Sequence, residues 1–237
     1  MILSHKHKFI LVRPKKVAGS SILHNLGKWC GDDDIVTDTP EAILRSNVLK
    51  KTNIQTVCRN IFSDLGLKMH IKPSKIREMY PVEWKKYSRI GCIRNPYDIA
   101  YSMYCMLTRE KYFVMETEKY NRSFISGRSF KDWIKKLIVN PDHEIAVSEF
   151  AESYWFYDDT NEEVKYDFMI RYENLEDDYK TVCNHFNIPH EPLVKLNTET
   201  RLDVDEDRSY QKHYDDESRD FIKKVWSKVI KRYDYEF

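Results

Sequence analysis

Three short apolar runs set the frame of this chain. They are Phe-Ile-Leu-Val at 9–12, Ser-Arg-Ile-Gly-Cys-Ile at 88–93 and Asp-Phe-Met-Ile-Arg at 167–171. Each is too short for a helix and apolar enough for a buried strand. Each also runs into a segment of helical character. After the first, Ile22, Leu23, Leu26 and Trp29 recur on one face. A helix is therefore predicted from Ile22 to about Cys30, capped by Ser20 or Ser21 and ended at Gly31. After the second, Pro96 breaks the strand and opens a helix with no clean apolar stripe, hence buried on more than one side. After the third, a helix is predicted from about Asn174 to Phe186. This alternation predicts an α/β fold with a central, mainly parallel sheet flanked by helices.

The remaining segments fill in the frame. Residues 41–66 read as one or two amphipathic helices, and Leu67–Ile71 as a short strand that carries His70 near its end. Pro73-Ser74 can start a helix. Residues 129–139 form another, with Ser129 and Asp132 paired as in a capping box. Residues 190–212 are irregular and charged, and a last helix is predicted from about Asp215 to Arg232. No repeat, low-complexity tract or linker interrupts the 237 residues. A single domain spanning 1–237 is the expectation.

Charge excludes some functions. Thirty-nine basic residues face 38 acidic ones, a net charge of +1. No general field attracts nucleic acid or an anionic membrane, so an anion site must come from local clustering. No run approaches the ~20 apolar residues of a membrane helix, and the first residues do not read as a leader. If the chain is complete, a cytoplasmic location is expected. The five cysteines are scattered, with no C-x-x-C spacing, and read as reduced thiols rather than a disulfide frame or zinc site. His5 and His7 alternate with lysines and read as solvated edge residues.

The stretch Arg-Pro-Lys-Lys-Val-Ala-Gly-Ser-Ser, 13–21, carries the first functional signal. A strand, a loop and a helix start present free backbone N–H groups to an anion. Gly19 permits close approach, Ser20 and Ser21 add hydroxyls, and Lys15 and Lys16 add charge. By itself the loop reads equally as a turn with solvated lysines. Its lysines precede the glycine, so the Walker pattern is absent, and no G-x-G-x-x-G occurs. The second signal is Arg-Asn-Pro-Tyr-Asp-Ile-Ala-Tyr-Ser-Met-Tyr, 94–104, where Arg94 and Ser102 can converge on one phosphate.

Together the two segments resemble those of sulfotransferases that use PAPS (3′-phosphoadenosine 5′-phosphosulfate), above all the carbohydrate and membrane-type branch. That family carries a P-K-T-A-G-[ST]-S-like loop for the 5′-phosphosulfate and an R-[ND]-P-x-[DE]-R-x-x-S-x-[YF]-like segment for the 3′-phosphate. Lys-Met-His-Ile at 68–71, Arg-Tyr-Glu-Asn-Leu at 171–175 and the closing stretch from His213 to Phe237 extend the resemblance over nearly the whole chain. Three positions depart: Lys15 replaces the family proline, Val17 its threonine and Ile99 its inner arginine.

The resemblance implies a P-loop-NTPase-like three-layer fold and transfer of a sulfuryl group from PAPS to an acceptor hydroxyl, with an oligosaccharide favoured over a small molecule. It implies Lys16 at the leaving-group side and His70 as base, with Glu173 a weaker alternative. Lys15, Lys16, Ala18, Gly19, Ser20 and Ser21 would bind the 5′ end of the nucleotide, and Arg94 and Ser102 the 3′-phosphate. No metal is expected. Arg208 and Tyr210 lie in a charged loop that either closes over the nucleotide or is plain surface. Two other readings stay open: a non-catalytic binder of PAP or PAPS, and a P-loop-like ATP phosphotransferase.

Overall fold

A computed structural model describes residues 1–37, 70–108, 129–139, 152–157, 162–196 and 209–237. The helices predicted within 41–66, most of the strand predicted at 67–71, and Arg208 lie outside the described residues. Along the chain come β1 (Ile2–Ser4), β2 (Phe9–Leu11), α1 (Gly19–Gly27), β3 (Ile35–Val36), α2 (Pro73–Met79), α3 (Pro81–Lys86) and β4 (Ser88–Ile93). There follow α4 (Pro96–Leu107), α5 (Phe130–Val139), α6 (Glu152–Phe156), β5 (Phe168–Arg171), α7 (Leu175–His185), α8 (Asp216–Val225) and α9 (Ser227–Tyr233). Two compact units emerge, Met1–Ile93 with Trp155–Leu196, and Arg94–Tyr154 with Asn197–Phe237.

The first unit is built on a five-stranded sheet in the order β3-β1-β2-β4-β5. β2, β4 and β5 run parallel, whereas β1 pairs antiparallel with both β2 and β3. The α/β expectation holds, but the sheet is mixed rather than mainly parallel. The cause is local. Residues 5–8 turn the chain back on itself, with Lys8 at φ 59°. The buried Asp34 carboxylate fixes that turn, accepting from the Ser4 hydroxyl at 2.7 Å and from the backbone N–H of His5 at 2.6 Å and Lys6 at 3.1 Å. His5 and His7 therefore belong to a hairpin turn, not to an edge strand. Every residue of β1 and β2 is buried, as expected of strands inside a sheet. Around His70 the chain forms a bend, so the predicted strand does not extend to His70 and Ile71.

The second unit is helical where described. α4 buries ten of its twelve residues, which explains its lack of a clean apolar stripe. It packs with α5 and α8. Ser129 and Asp132 exchange the expected bonds at the start of α5: the Ser129 hydroxyl donates to the carboxylate at 2.6 Å, and the Asp132 N–H donates to Ser129 Oγ at 3.3 Å. Asp215 and Ser218 cap α8 in the same reciprocal way. The long closing helix predicted to Arg232 is broken at Trp226. The buried Glu152 carboxylate accepts from Val229 N–H at 2.9 Å and Lys228 N–H at 3.4 Å, satisfying donors that a continuous helix would have used internally.

Candidate active site

The loop after β2 starts at the carboxyl edge of the parallel strands. Val12 N–H donates to the Ile90 carbonyl at 2.8 Å, so the end of β2 lies beside the middle of β4, which runs on to Ile93. That edge is where open α/β sheets take ligands. Beyond it the backbone is strained, with Lys16 at φ 65° and Ala18 at φ 58°. A left-handed conformation costs a non-glycine residue about 1–2 kcal/mol, and such residues gather at functional sites. Ala18 ends the loop as the N-cap of α1, with no side chain capping the first turn. Ser20 and Ser21 thereby become helical residues rather than caps, and α1 runs from Gly19 to Gly27 instead of Ile22 to Cys30. Lys15, Lys16 and Ser20 are half-buried. Ser21 is buried, and its hydroxyl oxygen accepts from Leu196 N–H at 3.3 Å. Val17, which replaces the family threonine, is a core residue at 1% exposure.

Arg13 was not among the residues that sequence reasoning selected. Only 3% of it is exposed. Its side chain lies across Gly19, where an added Cβ would stand 2.2 Å from Arg13 Cγ and 2.5 Å from Cδ. Glycine is required there by Arg13, before any ligand is considered. The sequence offered no signal beyond a basic residue ending an apolar strand.

His70 meets the same residue. Its Nδ1 lies 2.9 Å from the Arg13 carbonyl oxygen. A carbonyl only accepts, so Nδ1 carries the proton, and Nε2 of the neutral ring keeps its lone pair. Burial holds His70 well below its ordinary value, and the Arg13 charge acts the same way. The Arg13 carbonyl opposes that shift, while Lys15 and the Met1 amino group add to it. The ring is neutral at pH 7, and it stands edge-on to Trp155 with centroids 6.3 Å apart. Glu173, the weaker alternative, lies exposed in a 3₁₀ turn after β5, and Arg171 pairs with Asp178 at 3.1 Å.

The second segment belongs to the other unit. Arg94 and Ser102 are 4% and 2% exposed. Arg94 donates from Nε to Asp98 Oδ2 at 2.6 Å, and its Nη2 lies 2.5 Å from the same oxygen. Asp98 and Ser102 are four residues apart and share a face of α4. Asp98 therefore orients the arginine one turn before the serine. The i, i+4 spacing to Arg94 was the signal that would have found it. Ile99 is buried where the family carries its inner arginine.

Within the first unit the structure brings Arg13, the strained loop and His70 together. Within the second it brings Arg94, Asp98 and Ser102 together. Each set taken by itself suits an anion: in the first unit an uncapped helix start with lysines on the loop, and in the second an oriented guanidinium. Among the described residues, no group of three or more His, Cys, Asp or Glu is placed to hold a metal ion, and no helix is long and apolar enough to cross a membrane. The family model described as "Sulfotransferase family" matches residues 1–236. No curated protein and no solved structure matches the chain.

Proposed function

The chain belongs to the sulfotransferase family, and on that premise we propose that it moves a sulfuryl group from PAPS to a carbohydrate hydroxyl, releasing PAP. The family match runs through both compact units, which supports treating residues 1–237 as one functional domain. A P-loop-like arrangement is supported by the β2–loop–α1 connection at the carboxyl edge of parallel strands. The carbohydrate acceptor follows from the resemblance of the motifs to that branch. A reducing, cytoplasmic location is supported by the buried thiols of Cys30, Cys92, Cys105 and Cys183 among the described residues.

In the proposed reaction a bond forms between the acceptor oxygen and sulfur. The bond from sulfur to the bridging phosphate oxygen breaks, and PAP leaves with its electron pair. The hydroxyl proton goes to His70 Nε2. As in phosphoryl transfer, the work is alignment and charge stabilisation. Lys16 donates to the bridging oxygen, and Lys15 adds charge at the loop. The backbone from Ala18 to Ser20, with the serine hydroxyls, holds the 5′-phosphate. Ser21 contributes more through the helix start than through its hydroxyl, which packs against Leu196. Arg94 and Ser102 hold the 3′-phosphate, with Asp98 orienting Arg94.

One observation carries this reading. The Arg13 carbonyl, at the root of the lysine loop, holds the His70 proton on Nδ1 and leaves Nε2 to accept another. The test is transfer of labelled sulfate from PAPS to a panel of saccharide acceptors. Lys16→Ala is expected to abolish transfer while PAP binding partly survives, and His70→Gln to remove the acidic limb of the pH–rate profile. Near-normal turnover in Lys16→Ala sinks the assignment.

A further inference from the structure

Two segments of the second unit, 209–214 and 234–237, grip the start of α4. Asn95 is the hub. Its Oδ1 accepts from Tyr97 N–H at 3.1 Å and caps the helix. Its Nδ2 donates to the Glu236 carbonyl at 2.7 Å and to the Tyr210 hydroxyl at 3.3 Å. The Tyr214 hydroxyl donates to the Tyr97 carbonyl at 2.7 Å. The Phe237 ring then meets Tyr97, Tyr214 and Tyr210 edge-on, with centroids 5.1, 5.2 and 5.9 Å away. Arg219 of α8 stands 5.7 Å from the Phe237 centroid. One turn further along α4, His213 stacks on Tyr101 at 4.3 Å and 14°.

These contacts fall on the neighbours of Arg94, Asp98 and Ser102, and none of them uses those three side chains. The residues that carry the phosphate chemistry are left in place while Asn95, Tyr97 and Tyr101 are tied down around them. The Asp215–Ser218 capping box anchors the first segment where it enters α8. Tyr210 is thus engaged at the root of the helix, which disfavours a role as a moving cover over the nucleotide.

We propose that this two-part strap sets the protein's preference for 3′-phosphorylated nucleotides, by holding the first turn of α4 so that Arg94 faces the 3′-phosphate without reorganising. The inference rests on the reading of Arg94 and Ser102 given above. Asn95, Tyr210 and Phe237 act through Arg94 and are positioning residues. Pre-ordering is effective because a binding group that is already held does not lose freedom on binding.

The experiment is titration calorimetry of the full chain with PAP and with 5′-AMP, which differ at the 3′ position. Wild type, Asn95→Ala, Tyr210→Phe and Phe237→Ala are compared, with circular dichroism to verify folding. A charge-assisted hydrogen bond is worth roughly 10- to 150-fold in affinity. Partial loss of orientation is expected to weaken PAP about tenfold in Asn95→Ala and Phe237→Ala, with AMP affinity unchanged. Tyr210→Phe removes a single oxygen and carries the decision if the larger truncations do not fold. It is expected to lower the PAP-to-AMP preference by a smaller factor. Equal weakening of both nucleotides, or an unchanged preference, overturns the strap and leaves the Arg94 reading standing. A wild-type protein indifferent to the 3′-phosphate overturns both.

Discussion

Adding one methyl group at position 19 tests the interior of the loop. Gly19 is the first residue of α1. A Cβ there would stand 2.2 Å from Arg13 Cγ, which is close to the backbone and has little room to swing away. Overpacking of this kind costs about 1–3 kcal/mol. In a protein of this size each kcal/mol lowers the melting temperature by roughly 2–4 °C. Gly19→Ala is therefore expected to melt roughly 2–12 °C below wild type without nucleotide present. The decisive assay is a thermal double-mutant cycle with Arg13→Ala, which removes the obstructing side chain and keeps the carbonyl that binds His70. A coupling of about 1 kcal/mol or more is expected, because the methyl group then occupies vacated space. If Gly19→Ala costs as much in the Arg13→Ala background as it does in wild type, the packing argument fails. If the melting temperature is unmoved and only PAP affinity drops, the glycine serves the ligand instead.

Three further outcomes are expected. The folded His70 lies below its ordinary value of 6.5, so only the unfolded chain takes up a proton there between that value and the lower folded one. Its contribution to stability is complete above about pH 6.5 and is lost as pH falls below it; denaturation at pH 7.5 and pH 5.5 is expected to show a smaller loss for His70→Gln than for wild type. Asp98→Ala removes the carboxylate that pairs with the buried Arg94 and is expected to cost about 3–5 kcal/mol, measured by urea unfolding; a loss below 1 kcal/mol contradicts the pairing. Glu152→Ala removes the acceptor at the start of α9 and is expected to cost about 0.5–2 kcal/mol, with α9 amides losing protection in hydrogen exchange; unchanged protection at Val229 argues against the cap.

Some of this was legible in the sequence, and the failures share a cause. The strand at Ser88–Ile93 and the helix after Pro96 follow from local apolarity and proline chemistry, and both lie where expected. The sheet's mixed character was not legible. β1 and β3 span three and two residues, too few for a period to register, and the histidine–lysine alternation imitates an exposed edge. The turn is fixed by Asp34, some thirty residues away. The break at Trp226 was hidden in the same way, since apolar spacing continues through it and the capping Glu152 is distant in sequence. At the site, the lysines, glycine, Arg94 and Ser102 were readable as motif positions. Arg13 was not, because its role depends on what its side chain covers. The bond from Leu196 N–H to the Ser21 hydroxyl was not legible either, because Leu196 comes from the far end of the unit.

The left-handed backbone at Lys16 has a consequence for anyone evolving this protein in the laboratory. Glycine or asparagine would adopt φ 65° with less strain than lysine does. A library screened for heat resistance alone would be rewarded for replacing that lysine, and, if Lys16 acts at the leaving-group oxygen as proposed, its most robust survivors would be the least able to turn over. Screens for thermostable variants should therefore hold codon 16 fixed or score turnover in every round.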